Sequence, residues 1–307
     1  MSLQTDLLLD RRRLKRRLVF WRVIAVVALV CAVLAWFRTF PLPLGGPHIA
    51  RVSVTGLITE NSNLTAAIDA LADDSEVKAL ILKINSPGGS VAGGEALHDA
   101  IAHVAAKKPV VAVMGGTAAS AGYMIATPAQ RIFAHDSTLT GSIGVLLEAP
   151  EFSGLLGKLG IDAQVVRSGP LKDEPSLTRP LSPAGHEMAQ GLVDDMYDQF
   201  VAMVAAGRKM PVEKVRQLGD GRPYTGRQAL AVGLIDAIGG ERDARQWLAT
   251  EKKIPTNTRV EDVSGDSYAS RALSAHAASI VFDVWKTVFS QSVSLDGAWA
   301  VWHRSDN

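Results

Sequence analysis

From His48 onward the chain alternates between two kinds of apolar pattern. The first is a short, nearly continuous run rich in β-branched residues: HIARVSVTGLIT (48–59), ALILKINS (79–86), PVVAVMGG (109–116), RIFAH (131–135), GSIGVLLE (141–148) and AQVVRSG (163–169). Runs of this length predict strands, and those without strict alternation predict strands buried on both faces. The second kind is helical. Residues 63–73 place Leu64, Ile68 and Leu71 on one side, and a helix follows the Gly-rich turn after residue 86 as far as about 107. A long helix is predicted over 182–207, where Met188, Leu192, Met196 and Phe200 recur every four residues, a stripe that predicts core packing. Two short helices with turns follow over 212–240, then a helix over 244–252, a short strand at RVEDV and an amphipathic helix over 271–290. Strands separated by helical segments predict an α/β fold of repeated βαβ units around a mostly parallel sheet.

The first forty residues follow another pattern. RRRLKRR (11–17) precedes LVFWRVIAVVALVCAVLAWF (18–37), twenty positions with one charge, Arg22. At about 1.5 Å rise per residue, twenty helical residues cover the roughly 30 Å hydrocarbon layer. Arg22 lies near the basic end and can snorkel, and Trp21 and Trp36 sit near the two interfaces. The basic cluster predicts a cytoplasmic N-terminus and a body outside the cytoplasm. A cleaved signal peptide is the rival, but the bulky Trp36–Phe37 end favours an uncleaved anchor; either reading exports the body. RTFPLPLGGPH (38–48), with three Pro and two Gly, reads as a linker.

Composition narrows the function. With 47% hydrophobic and 21% charged residues, 307 positions can bury a sizeable core. One Cys excludes a disulfide scaffold, a thiolate zinc cluster and a CxxC redox pair. The net charge of +1 hides a split: residues 1–38 hold eight Lys/Arg and two Asp, which leaves the rest at −5. A body without basic excess argues against nucleic-acid binding.

Three segments that follow predicted strands could carry chemistry. In NSPGGSV (85–91), Gly88 and Gly89 let the backbone turn with its N–H groups exposed, either as a plain tight turn or as a nest for a carboxylate, phosphate or oxyanion. In MGGTAASAGYMIA (114–126), Ser120 opens a helix among small residues. It reads either as an N-cap or as a nucleophile whose neighbour Ala121 supplies an oxyanion-binding N–H. In RSGPLKDEPSLTRPLSP (167–183), Lys172 is either a surface lysine or a base. At an ordinary pKa near 10.4 only about one amine in 2,500 is neutral at pH 7, so a base requires burial that lowers the pKa by roughly 2–4 units. Asp173 and Glu174 oppose that, and must turn outward or pair elsewhere, with Arg167 or Arg179 as candidates. Of seven His, only His135 lies near a candidate segment, and its strand neighbour Asp136 would face the other way, a poor triad pair. No GxSxG elbow, Walker loop, HExxH or GxGxxG is present, so no metal or nucleotide cofactor is expected.

Taken in order, INSPGGSV (84–91), TAASAGYMIA (117–126), TLTGSIGV (138–145) and SGPLKDEPSLTRPLSP (168–183) resemble the signal peptide peptidases of the SppA (protease IV) family, in its single-copy form, over residues 48–250. The resemblance implies the ClpP/crotonase-like fold, behind one N-terminal transmembrane helix, and a Ser-Lys dyad. By motif, Ser120 matches the nucleophile, Lys172 the general base, and Ser142 the serine that orients the lysine. Gly88 or Gly89 with the Ala121 N–H matches the oxyanion hole. The chain departs from the family pattern at Ala121, where Gly is more usual, at Met124, where a second aromatic is common, and at His135–Asp136–Ser137, in place of an Asn-Pro-Gly-like turn. These departures bear on the shape of the substrate pocket.

The expected organisation is a basic arm and anchor (1–38), a linker (39–47), a peptidase domain (48–250) and a C-terminal strand, helix and tail (251–307). The resemblance implies a single-pass inner-membrane endopeptidase, its catalytic domain periplasmic or extracellular. It would degrade cleaved signal peptides and other unfolded hydrophobic peptides beside membrane lipid. Its relatives also imply a ring-shaped homo-oligomer with sites shared between subunits. A crotonase-type acyl-CoA enzyme and a catalytically silent peptide-binding scaffold are the alternatives.

Overall fold

A computed structural model of the protein describes residues 46–265, with 20–22 and 24. The chain divides into two compact units, Met1–Gly46 and Pro47–Asn307. The anchor expected over 18–37 lies almost wholly outside the described residues, as does the helix expected over 271–290; among the described residues no helix is long and apolar enough to cross a membrane.

The second unit is a mixed α/β fold on an eight-stranded sheet. Its strands are β1 (His48–Thr55), β2 (Val77–Ser86), β3 (Val110–Ala119), β4 (Arg131–Ala134), β5 (Leu139–Gly141), β6 (Pro223–Thr225), β7 (Ala237–Ile238) and β8 (Arg259–Val263). They run in the order β6-β5-β3-β2-β1-β8, with β4 against β3 and β7 against β4. All pairs are parallel except β5–β6. The helices are α1 (Ser62–Ala70), α2 (Val91–Lys107), α3 (Ala121–Met124), α4 (Ser153–Lys158), α5 (Pro183–Arg208), α6 (Val212–Leu218), α7 (Gly226–Val232) and α8 (Glu241–Lys252).

The unbroken apolar runs have a direct cause. Side chains of a strand alternate between faces, and here both faces are covered. Val52, Leu80, Leu82, Val110 and Ala112 point into one core with Ile101 and Val104 of α2. Ile49, Ala79, Ile81, Val111 and Val113 point into the other, closed by Ala244 and Leu248 of α8. Helix starts are capped as their sequences suggest: Ser90 accepts from the Gly93 N–H at 3.2 Å, Ser182 from Gly185 at 3.0 Å, and Thr225 forms a capping box with Gln228.

What positions the site is a break in β3. Val111 to Val113 pair with β4, and Thr117 to Ala119 pair with β5. Gly115 and Gly116 lie between, where the β2–β3 register also shifts. The Asn85 side chain accepts from the Thr117 N–H at 3.2 Å, and the Thr138 hydroxyl donates to the Gly115 carbonyl at 2.7 Å, so side chains restore what the ladder loses.

Three expectations differ from the structure. The strand expected over 141–148 ends at Gly141, and the one expected over 163–169 is irregular. Both have strand-like composition, but among the described residues neither has a partner strand. The stripe on α5 is core only at its far end: Phe200 is buried, whereas Leu192 and Met196 are exposed, because the first half of the helix buries Gly185 and Ala189 on another face.

Candidate active site

Ser120 stands between β3 and α3 with φ 53° and ψ −125°. A non-glycine residue in such a region costs about 1–3 kcal/mol and persists only where its surroundings enforce it. They do so here: the Ser120 N–H donates to the Gly141 carbonyl at 2.9 Å, and its carbonyl accepts from the Tyr123 and Met124 N–H groups at 2.8 and 2.9 Å. The carbonyl thus tethers the first turn of α3, and the side chain makes no capping hydrogen bond. The N-cap reading of Ser120 fails on this point.

Gly88 lies directly against the serine. A Cβ on Gly88 would come within 2.7 Å of Ser120 Cβ and 3.1 Å of its Oγ, and its φ of 118° is open only to glycine. Hydrogen bonding separates the nest candidates. The Gly88 N–H donates to the buried Ser86 hydroxyl at 3.1 Å and its carbonyl accepts from the Ile58 N–H at 2.8 Å. Gly89 bridges to Ile58 only through its chain neighbours, so its own N–H has no acceptor among the described residues. The Ala121 N–H, at the start of α3, has none either. Two backbone donors, Gly89 and Ala121, therefore flank the serine unpaired.

A network that sequence reasoning did not find holds α3 from behind. Tyr123 is fully buried, and its hydroxyl donates to the Leu234 carbonyl at 2.8 Å; burial pushes the phenol well above its ordinary range. The neighbouring turn is clamped by Arg208, which donates to the Gly233 carbonyl at 3.1 and 3.0 Å and to both Asp236 oxygens at 3.0 and 2.7 Å. Asp236 also accepts from the Ile132 N–H at 2.7 Å. The signal was a lone Asp at the end of an apolar run, GLID, too common to single out.

The remaining candidates are placed differently. Ser142, at φ 48°, follows the glycine that accepts from Ser120; its N–H donates to the Arg222 carbonyl at 3.1 Å and its hydroxyl to the Gly221 carbonyl at 3.2 Å. Lys172 is exposed on a turn, and its amine has no hydrogen bond or ion pair among the described residues. The chain thus brings together Gly88, Gly89, Ser120 and Ala121, with Ser142 one residue from the carbonyl that accepts from Ser120, and no hydrogen bond joins Lys172 to this group among the described residues. Asp173 pairs with Arg179, one of the two partners expected for it. The His135 ring makes no hydrogen bond or ion pair with the Asp136 carboxylate, which instead faces Arg227 at 3.6 Å, so the two do not form a triad pair.

Comparison with known proteins bears on this arrangement. Peptidase family S49 matches residues 102–255, half of the chain, which takes in Ser120, Ser142 and Lys172. The chain belongs to peptidase family S49. The Clp protease family matches residues 50–139, in keeping with the parallel-rich sheet. A Synechocystis protein named provisionally as a protease is 45% identical over 204 residues, 66% of this chain and 73% of that one. A protein of Enterococcus faecium named provisionally as signal peptide peptidase SppA is 36% identical over 229 residues, 69% of this chain and 66% of that one. Protease 4 of Salmonella typhi is 42% identical over 172 residues, 56% of this chain but only 28% of its own. As an S49 member the chain is a serine peptidase, a hydrolase, of the SppA type with a ClpP-like sheet.

Proposed function

We propose that this S49 peptidase is a membrane-anchored endopeptidase in which Ser120 is the nucleophile and Lys172 the base. The observation that carries the reading is Ser120 itself: a strained residue with an unengaged hydroxyl, pressed against Gly88, between two unpaired N–H groups. The neutral Lys172 amine takes the Oγ proton as Oγ attacks the scissile carbonyl. The oxyanion is received by the Gly89 and Ala121 N–H groups. Collapse passes the proton from the ammonium to the leaving amine. Water, deprotonated by the same amine, then cleaves the acyl ester. Ser142 suits an orienting role, because a hydroxyl that donates to the Gly221 carbonyl still accepts from an amine N–H.

Within one chain Lys172 is exposed and makes no hydrogen bond among the described residues, which supports a site completed by a second copy in a ring-shaped homo-oligomer. The exposed apolar side chains between Val145 and Leu181 support this, since water is a poor neighbour for so many of them. The basic cluster and apolar run of residues 11–37 anchor the chain in the inner membrane with the catalytic unit outside the cytoplasm. Substrates are released signal peptides and other unfolded apolar segments. A fluorophosphonate tests the nucleophile: mass spectrometry should find the adduct on Ser120 and none in Ser120→Ala. An adduct on another serine, with activity lost in step, would overturn the reading.

A further inference from the structure

The base as read above has two carboxylates beside it in sequence, Asp173 and Glu174. Left facing the amine, both would favour its charged form and oppose its use as a base. In the structure neither is left free. Lys172 sits on two overlapping turns, with its N–H donating to the Gly169 carbonyl and the Glu174 N–H to the Leu171 carbonyl, each at 3.3 Å. Arg179 reaches back across this turn. Its Nη2 donates to Asp173 Oδ2 at 2.7 Å and to the Asp173 carbonyl at 3.2 Å, and its Nη1 lies 3.9 Å from Glu174 Oε1. The Ser176 hydroxyl adds a bond to Asp173 Oδ2 at 3.0 Å. Glu174 turns inward, its side chain only 2% exposed, toward the first turn of α5. There Gly185 leaves the space: a Cβ would stand 2.7 Å from Glu174 Oε2, an oxygen with no hydrogen-bond partner among the described residues. One guanidinium therefore faces both carboxylates and one backbone carbonyl within three residues of the base.

We propose that Arg179 is a positioning residue for Lys172: by pairing with Asp173 and facing the buried Glu174 it engages the two negative charges beside the amine and fixes the turn from which the amine reaches. The inference rests on Lys172 being the base, but not on which subunit's serine it serves, because the clamp spans only residues 169–185 of one chain. Charge balance requires a cation at this place. A buried carboxylate without one would take up a proton or swing toward another cation, and Lys172 is only two residues from Glu174. Arginine suits the role because its planar fork reaches a carboxylate and a carbonyl together. Arg179, followed by the Ser176 hydroxyl, holds the Asp173 carboxyl below its usual range.

The other charged groups near the turn do not mimic this effect. Arg167 lies on the same loop and acts on Asp173 only at a distance. Glu151 and His186 line the groove shared with Pro175 and Ser176.

The test is the pH dependence of kcat/KM for the full-length assembled enzyme on a fluorogenic apolar peptide. In Arg179→Gln the acid limb should move up by about one pH unit and neutral activity should fall about tenfold, with the high-pH plateau kept. Asp173→Asn, which leaves the guanidinium in place, should move the limb the other way. Should Arg179→Gln fail to assemble, Asp173→Asn decides alone. A limb unmoved in Asp173→Asn, or an Arg179→Gln loss equal at every pH, would overturn the clamp and leave Arg179 merely structural. Lys172→Met separates the two readings: full activity there sinks the base assignment, while inactivity there with unmoved limbs sinks only the clamp.

Discussion

The body around β3 and the excursion between β5 and α5 are made from similarly apolar sequence and end in opposite states. In the body, Leu80, Ile81, Val110 and Val111 are wholly buried, because neighbouring strands and two helical layers cover both faces of the sheet. In the excursion Leu146 is 76% exposed and Val166 fully so, and no strand forms beyond Gly141. The serine, with its glycine and its free N–H donors, belongs to the first region. The lysine belongs to the second. The proposed nucleophile stands on the covered sheet, and the proposed base is carried on a segment whose apolar side chains are exposed.

That contrast can be broken at either side. The largest effects belong to the proposed reacting groups: Ser120→Ala and Lys172→Met should each cost about 10³-fold or more in kcat/KM with the melting temperature unchanged. A Lys172→Met enzyme as fast as the parent would detach the excursion from catalysis. Next is Gly88→Ala. Its Cβ meets Ser120 Cβ at 2.7 Å and its φ is closed to alanine, so the serine must move. Rate should fall about 10²-fold, as expected for displacement of a reacting group by about 1 Å. A kinetically normal variant would show that the close approach is incidental.

Polar substitution in the excursion should separate assembly from folding. Leu146→Ser with Val166→Ser changes residues already in water, so the isolated unit should keep its stability within about 0.5 kcal/mol. Sedimentation should nevertheless show smaller species, and activity should fall with them. Unchanged assembly would mean that other surfaces hold the copies together. The smallest effect is Tyr123→Phe, which leaves the buried Leu234 carbonyl without its donor and should cost about 1–2 kcal/mol in chemical denaturation. No loss would remove the hydroxyl from the support of α3.

The same contrast explains what sequence could and could not reveal. The sheet was readable because continuous apolar runs have one physical meaning when helices alternate with them, and β1, β2 and β3 lie where those runs stand. GSIGVLLE and AQVVRSG misled because strand-like composition records a residue's fit to a pleated surface and says nothing of whether a partner is at hand. The α5 stripe misled similarly: period four marks a helix face, yet only Phe200 of the four meets the core fully. Ser120 stayed ambiguous between cap and nucleophile because the difference is a dihedral angle. Gly88 and Gly89 were indistinguishable until the Ser86 hydroxyl was seen to take one N–H and not the other. Arg208 and Asp236 meet across 28 residues, beyond any local pattern.

The division of the site between two copies is tested most directly by mixing protomers. Ser120→Ala and Lys172→Met chains, each inactive alone, should be denatured together, reassembled in equal amounts and assayed. In a head-to-tail ring each site draws serine from one subunit and lysine from the next, so about a quarter of the sites should be whole and activity should return to about that fraction of the parent's. Recovery of none, in assemblies proven by mass to contain both chains, would contradict a shared site and place serine and lysine within one subunit.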